Sequence, residues 1–305
     1  MDYHDENAGE VFCFRWRSVE VFMFLTIPVL MYHHVSPAGG MINVSPQHFE
    51  SQLVALKKAG YHTLRASEFA DYLQGKIDGR AERFKKAVVL TFDDGYLNNW
   101  VYAHALLQKY GLNAILFAAT GEIGQGEVRP HLLDHSGKAL PPSYEHHTSK
   151  KMKQEGKIDE VMARWSELRA MEQAGTFEIF SHTHSHRRWD LLCENAAEKS
   201  AKLAEDLQLS RQVLARELAK SNTKHLCWPQ GYYDEDYVRE AVAQGFKYLY
   251  TTDAYGFNRP HMDSRFIYRI SVKNRSGAWL RQRLFVARHP IIGRVYNGLK
   301  KSKAA

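Results

Sequence analysis

Thr91-Phe92-Asp93-Asp94-Gly95 closes the run Lys86-Ala87-Val88-Val89-Leu90. That run is short, apolar after Lys86 and rich in β-branched residues, so it reads as a buried strand. The chain then turns, and a helical pattern follows from about Leu97 to Tyr110. Gly95 permits a tight turn. Carboxylates at the end of a core strand sit at the rim of a sheet or barrel, where α/β folds keep their sites. Neighbouring residues on extended backbone point to opposite sides, so Asp93 and Asp94 suit two different jobs. One can bind a cation while the other takes a proton from water. A bound dication also removes the repulsion between the two.

Thr176-Phe177-Glu178-Ile179-Phe180 is a second short apolar strand, and it runs into Ser181-His182-Thr183-His184-Ser185-His186. His182 and His186 are four apart, which puts both imidazoles on one side of a turn. With one aspartate they offer three ligands to a divalent metal and leave positions open for water and substrate. His184 falls between them and is expected to point elsewhere.

These residues resemble the motifs of the polysaccharide deacetylase family, the NodB-like carbohydrate esterases. Thr91–Gly95 matches the first motif without departure, and His182–His186 matches the second, His-Ser/Thr-x-x-His. The resemblance implies a distorted (β/α) barrel of about seven strands that removes acetyl groups from N-acetylated sugars. It makes Asp93 the general base and Asp94, His182 and His186 the metal ligands. The metal implied is Zn2+, with Co2+, Ni2+ or Fe2+ as alternatives. Cys227-Trp228-Pro229-Gln230-Gly231-Tyr232 resembles the third motif, Arg-x-Pro-Tyr/Phe-Gly, with Cys227 in place of the arginine and Gln230 in place of the aromatic. It is closer to the Trp-Pro-x-Gly variant of poly-N-acetylglucosamine deacetylases. In the family the arginine orients the catalytic aspartate, so the chain lacks that partner at its usual position. Pro229, Gly231 and Tyr232 are then expected on the substrate wall, with a backbone N–H near Tyr232 or Tyr233 for the oxyanion. Asp253 is a looser match to a fourth motif. The early run Ile27–Val35 resembles the same branch, whose Tyr-His stands in for a late Leu-x-His. It makes His33 the general acid, with His34 as the alternative.

The chain has 305 residues, 44% hydrophobic and 25% charged, enough for one sizeable core. Strands are expected near 24–32, 61–64, 87–92, 112–118, 176–181, 224–228, 247–251 and 267–272. Helices are expected near 46–59, 67–75, 97–110, 159–174, 194–219 and 234–244. Alternation of this kind predicts a largely parallel α/β sheet. The expected organisation is a poorly patterned extension at 1–22, one barrel domain at 23–275 and a basic amphipathic tail at 276–305. Residues 121–158 form an insertion before the histidine motif, either a substrate-binding lid or a solvated excursion. Its histidines, His131, His135, His146 and His147, are read as solvated, with a second metal site as the alternative.

Three cysteines without paired spacing point to a reducing compartment. Arg15, Arg17 and the apolar run Val21–Met31 imitate a signal peptide. No small-residue cleavage site follows, and Met23 is an alternative start. The run is too short to span a bilayer and reads as the first barrel strand. Net charge is +7. From Arg281 onward arginines and lysines alternate with Leu284, Phe285, Val286, Ile291, Ile292 and Val295, without an acid. That composition suits an anionic membrane surface, or simply a solvated tail. No nucleic-acid recognition module is visible. The expected protein is a cytoplasmic N-deacetylase, peripheral at the inner membrane, acting on a surface polysaccharide, lipopolysaccharide or lipid-linked glycan. The alternatives are a deformylase or other deacylase of a lipid-linked sugar, and a catalytically silent glycan-binding module.

Overall fold

The computed structural model describes residues 26–78, 81–221 and 223–301. The extension at 1–22, the Met23 start and the first two residues of the expected strand 24–32 lie outside the described residues. Among the described residues ten strands are formed: β1 (Val29–Tyr32), β2 (His34–Val35), β3 (Asn43–Val44), β4 (His62–Thr63), β5 (Ala87–Asp94), β6 (Ala114–Ala118), β7 (Phe177–Ser181), β8 (His225–Cys227), β9 (Tyr248–Tyr250) and β10 (Ile270–Ser271). Seven of them follow the order β10-β1-β5-β6-β7-β8-β9, with β4 added to β5. Every ladder in this sheet is parallel. It is the distorted (β/α) barrel expected from the sequence.

Residues 267–271 touch both edges of the sheet. Ile267 bridges Tyr250 of β9 while Ile270 pairs with Leu30 of β1. The barrel closes along this irregular seam, and the seam carries Arg269.

β5 shows why the sheet is apolar on both sides. All eight of its residues are buried. Val88, Leu90 and Phe92 face the helical layer. Ala87 and Val89 face the interior with Ile115, Cys227 and Tyr250. Thr91 and Asp93 continue the interior parity, so the alternation of one strand aims Asp93 into the barrel.

The surrounding helices are α1 (Pro46–Lys58), α2 (Ala66–Leu73), α3 (Glu82–Lys85), α4 (Ala105–Tyr110), α5 (His146–Gln154), α6 (Trp165–Gln173), α7 (Ala196–Leu218), α8 (Glu235–Ala243), α9 (Gly277–Arg288) and α10 (Pro290–Lys301). α1 buries Phe49, Leu53 and Leu56 along one face. Its first turn is fixed by Pro46 and by the Ser45 hydroxyl, which accepts from the His48 N–H at 3.2 Å. Ser45→Ala is expected to cost about 1 kcal/mol of stability, measurable as a lowered urea midpoint at unchanged slope.

The helix expected at 97–110 begins as a π-turn, Asn99–His104, before α4. Such wide turns often mark functional sites. Here the turn presents Asn98 and Asn99 to the end of β1: Asn99 Nδ2 donates to the His33 carbonyl at 2.7 Å. The helix expected at 159–174 starts only at Trp165.

Residues 277–288 and 290–301 are helical, separated by the extended His289. α9 packs on α1 through Leu280 and Leu284. Gly277 allows the approach, because a Cβ there would lie 2.2 Å from the Ser51 carbonyl oxygen. No helix among the described residues is long and apolar enough to cross a membrane.

Candidate active site and metal centre

The carboxyl ends of β1, β5, β7 and β8 surround a cavity of about 290 Å³. Asp94 has φ 76°, a left-handed conformation that a non-glycine residue adopts at a cost, usually where function demands it. The turn swings its carboxylate toward the histidine motif. Asp94 Oδ1 lies 3.2 Å from His182 Nε2 and 3.1 Å from His186 Nε2.

The motif is a compact loop with Thr183 and His186 both at positive φ. The Thr183 hydroxyl accepts from the His186 N–H at 3.2 Å, and the Asp206 carboxylate accepts from the Ser185 N–H at 2.9 Å. His184 turns away to Thr120, 3.0 Å distant, as its place between the other two predicted.

This trio fits a divalent metal. The ligand atoms of Asp94, His182 and His186 lie within 4.8 Å of one another. His182 Nδ1 donates to the Cys227 carbonyl at 2.8 Å. A carbonyl only accepts, so Nδ1 carries a proton and Nε2 is left as the nitrogen that would bind a metal. Burial pushes the Asp94 carboxyl up, but hydrogen bonds from His182 and His186 hold it well below the usual range. A second trio, Asp93, His182 and Cys227, also gathers within that distance. It fits less well. Asp93 is already engaged by an arginine, and burial pushes the Cys227 thiol up, away from the thiolate a metal needs.

That arginine is Arg269, a residue the sequence reading missed. Its guanidinium grips Asp93 with two nearly parallel bonds, 2.7 Å to Oδ1 and 2.9 Å to Oδ2. It is itself held by the Thr251 carbonyl at 2.8 Å, the Thr91 hydroxyl at 3.2 Å and Cys227 Sγ at 3.0 Å. Arg269 is 0% exposed and Asp93 2%. Burial alone would raise the Asp93 carboxyl, but Arg269, then His33 and His182, bring it below the ordinary value. The grip on Asp93 that Cys227 cannot supply comes from the seam of the barrel. One signal for it stood in the sequence: an arginine inside the expected strand 267–272, which must be paired if buried.

His33 lines the cavity, its Nε2 3.7 Å from Asp93 Oδ2. His34 points the other way. It stacks on Tyr96 at 3.9 Å and bonds to Asn98 at 2.9 Å and His146 at 3.3 Å, and burial pushes its pKa down to about 3. It is a neutral structural residue.

At the third motif the cavity wall is Trp228, Gln230 and Gly231. Gly231 has φ 70°, and a Cβ there would lie 2.2 Å from Thr252 Oγ1. The other expected wall residues need correction. Pro229 is buried behind the wall. The Tyr232 N–H is used by the Pro229 carbonyl at 3.3 Å, and its ring lies under the Arg188 guanidinium. Neither the Tyr232 ring nor its N–H serves the cavity. Asp253 turns back to the Tyr255 N–H at 2.9 Å, and its neighbour Thr252 takes the place on the wall. For Tyr232 the displacement follows from Gln230, whose φ of 55° reverses the turn.

The insertion reaches the site through α5, which presents His146, Lys150 and Lys153 to the cavity. The spacing i, i+4, i+7 puts them on one helix face. His146, read as solvated from sequence, is therefore a site residue. His131 packs against Trp100 and His104 instead.

Comparison with known proteins agrees with this geometry. The family model described as Polysaccharide deacetylase matches residues 80–249. YxkH of Bacillus subtilis (strain 168) is 26% identical over 228 residues, 74% of this chain and 64% of that protein. The chain thus spans just under two thirds of that relative's length. A poly-beta-1,6-N-acetyl-D-glucosamine N-deacetylase of Staphylococcus aureus (strain N315) is 26% identical over 238 residues, 76% of this chain and 68% of that protein. Among solved structures, IcaB from Ammonifex degensii superposes with a TM-score of 0.65 at 23% identity, covering 86% of this chain and 97% of that one. The Streptococcus pyogenes deacetylase PplD superposes with a TM-score of 0.62 at 23% identity, covering 85% and 97%. At these identities the two structures speak for the fold.

Proposed function

The chain belongs to the polysaccharide deacetylase family, and from that premise we propose that it is a metal-dependent hydrolase removing the N-acetyl group from an amino sugar in a polysaccharide. The observation that carries the reading is the division of labour between two adjacent carboxylates. Asp94 faces two imidazoles, while Asp93 is clamped by an arginine and left at the cavity.

In this reading Asp94, His182 and His186 hold the cation, with Zn2+ first on their donor set and Co2+, Ni2+ or Fe2+ also compatible. Bound there, the ion supplies Lewis acidity that polarises an amide carbonyl and makes water easier to deprotonate. Asp93 takes the proton as water adds to the carbonyl carbon. Arg269 keeps that carboxylate charged and aimed. His33 gives a proton to the nitrogen as the C–N bond breaks, so the products are acetate and an amino sugar. The named substrate of the Staphylococcus relative makes a β-1,6-linked N-acetylglucosamine polymer the first to try. A silent binding module would need neither the clamped base nor the arginine that holds it.

The test is acetate release from N-acetylglucosamine oligomers, with N-formyl analogues beside them, before and after a chelator. Turnover is expected to vanish on chelation and return with Zn2+. His182→Ala is expected to lose both the ion and turnover. Full activity after chelation, or preference for the formyl analogue, would overturn the reading.

A further inference from the structure

One end of the molecule combines exposed apolar side chains with unbalanced positive charge, and nothing in the catalytic reading uses it. α9 buries Leu280 and Leu284 against α1, but Phe285 on its other side is 54% exposed. On α10, Ile291 is 71%, Ile292 42% and Val295 62% exposed. Positions i, i+1 and i+4 form one stripe along a helix. The exposed Arg281 and Arg294 are interleaved with them. Arg281 and Phe285 share a groove with Lys85 and Lys86. Residues 264–305 contain no aspartate or glutamate. The nearby acid Glu82 is paired with Lys85 at 2.8 Å.

The position of this face is fixed by the barrel. The Arg288 guanidinium donates to the carbonyl of Ala87, the first residue of β5, at 2.8 Å. Asp93 and Asp94 are the last residues of the same strand. At roughly 3.3 Å per residue the two carboxylates are about 20–23 Å along the strand from that end, at the opposite end of the barrel.

Three occupants can be compared. A second copy meeting this face across a two-fold axis would set cations against cations. A nucleic acid would match the charge but leave Phe285, Ile291, Ile292 and Val295 in water. An anionic bilayer matches both, with phosphates for the arginines and lysines and the acyl boundary for the apolar stripe. We propose that α9 and α10 dock the protein on an anionic membrane surface with the catalytic cavity facing away from it. The substrate reached from that position is a glycan extending from the membrane, not a sugar still carried on a lipid of the same leaflet.

The test is sedimentation of the full chain with phosphatidylcholine vesicles, with and without phosphatidylglycerol. Binding is expected only with the anionic lipid, and weaker as salt rises. Arg281→Glu/Arg294→Glu and Ile291→Asp/Val295→Asp are each expected to reduce it at least about tenfold. Acetate release from a soluble oligosaccharide should be unchanged in both variants, so the docking face and the catalytic reading fail separately. Absence of binding to the anionic vesicles, or equal binding by both variants, overturns the proposal. Dimers abolished by Ile291→Asp/Val295→Asp without vesicle binding would assign the face to a second copy. Displacement from the vesicles by an oligonucleotide would assign it to nucleic acid.

Discussion

Asp93→Asn is expected to lower acetate release by about 10²–10⁴-fold, the range for loss of a general base, while one cation per chain stays bound. The two halves of the expectation come from different atoms. The cation would be held by Asp94 with His182 and His186, none of which bonds to Asp93. The amide of asparagine has the size of the carboxylate and can still accept one bond from Arg269. It cannot take a proton from water. The charge it loses also leaves Arg269 buried opposite a neutral group, so the variant should melt at a lower temperature. Activity is therefore compared at a temperature where circular dichroism shows both proteins folded, with the metal measured on the same sample. Activity within tenfold of the parent would remove Asp93 as the base. Loss of the cation would mean that Asp93 belongs to the ligand set, as the second trio with Cys227 would have it. Asp94→Ala is the companion measurement: a full complement of cation on that protein would sink the ligand assignment instead.

The parts of this site that could be read from the sequence are those written in consecutive residues. A β-branched run ending in two aspartates, and a strand ending in histidines four apart, state their geometry within a few positions. Strand alternation and a turn do the rest. The strands at 87–94, 114–118 and 177–181 were legible for the same reason, being short apolar runs between periodic helices. What could not be read depends on distant partners or on backbone that leaves its regular path. Nothing local tells His33 from His34, which differ only in the side of the strand they occupy. Tyr96 and Asn98 from one segment and His146 from another decide it. Tyr232 was misplaced because positive φ at Gln230 and Gly231 turns the chain where a motif alignment assumes continuity, and Asp253 because its carboxylate turns back to accept from the Tyr255 N–H. α5 was hidden by its composition. Among nine residues of the run His146–Gln154 only Ser149 and Met152 are buried, too few to show a helical period. Its cap, Glu145 accepting from the Thr148 N–H at 3.1 Å, is the stronger clue.

Arg269→Gln is expected to destabilise the fold by about 3–5 kcal/mol, because it leaves the Asp93 carboxylate buried without its cation. Activity should fall through kcat more than KM, since the arginine touches the base and not the cavity wall. Arg269→Lys restores the charge but not the two-pronged grip, so it should recover more stability than activity. If the loss came only from disrupted packing, lysine and glutamine would behave alike, and the positioning role would fall. The sharper experiment moves the arginine. Arg269 Nη2 lies 3.0 Å from Cys227 Sγ, so the space emptied by Arg269→Gln adjoins the position at which the family usually carries its arginine. Cys227→Arg alone should be severely destabilising, because it forces a second guanidinium into a closed core. Combined with Arg269→Gln, it has both room and a partner, and the double variant should be more stable and more active than either single one. Such non-additivity is the signature of two residues serving one carboxylate. Independent, additive losses would mean that Arg269 is a core ion pair peculiar to this chain, and that the base is aimed by something else.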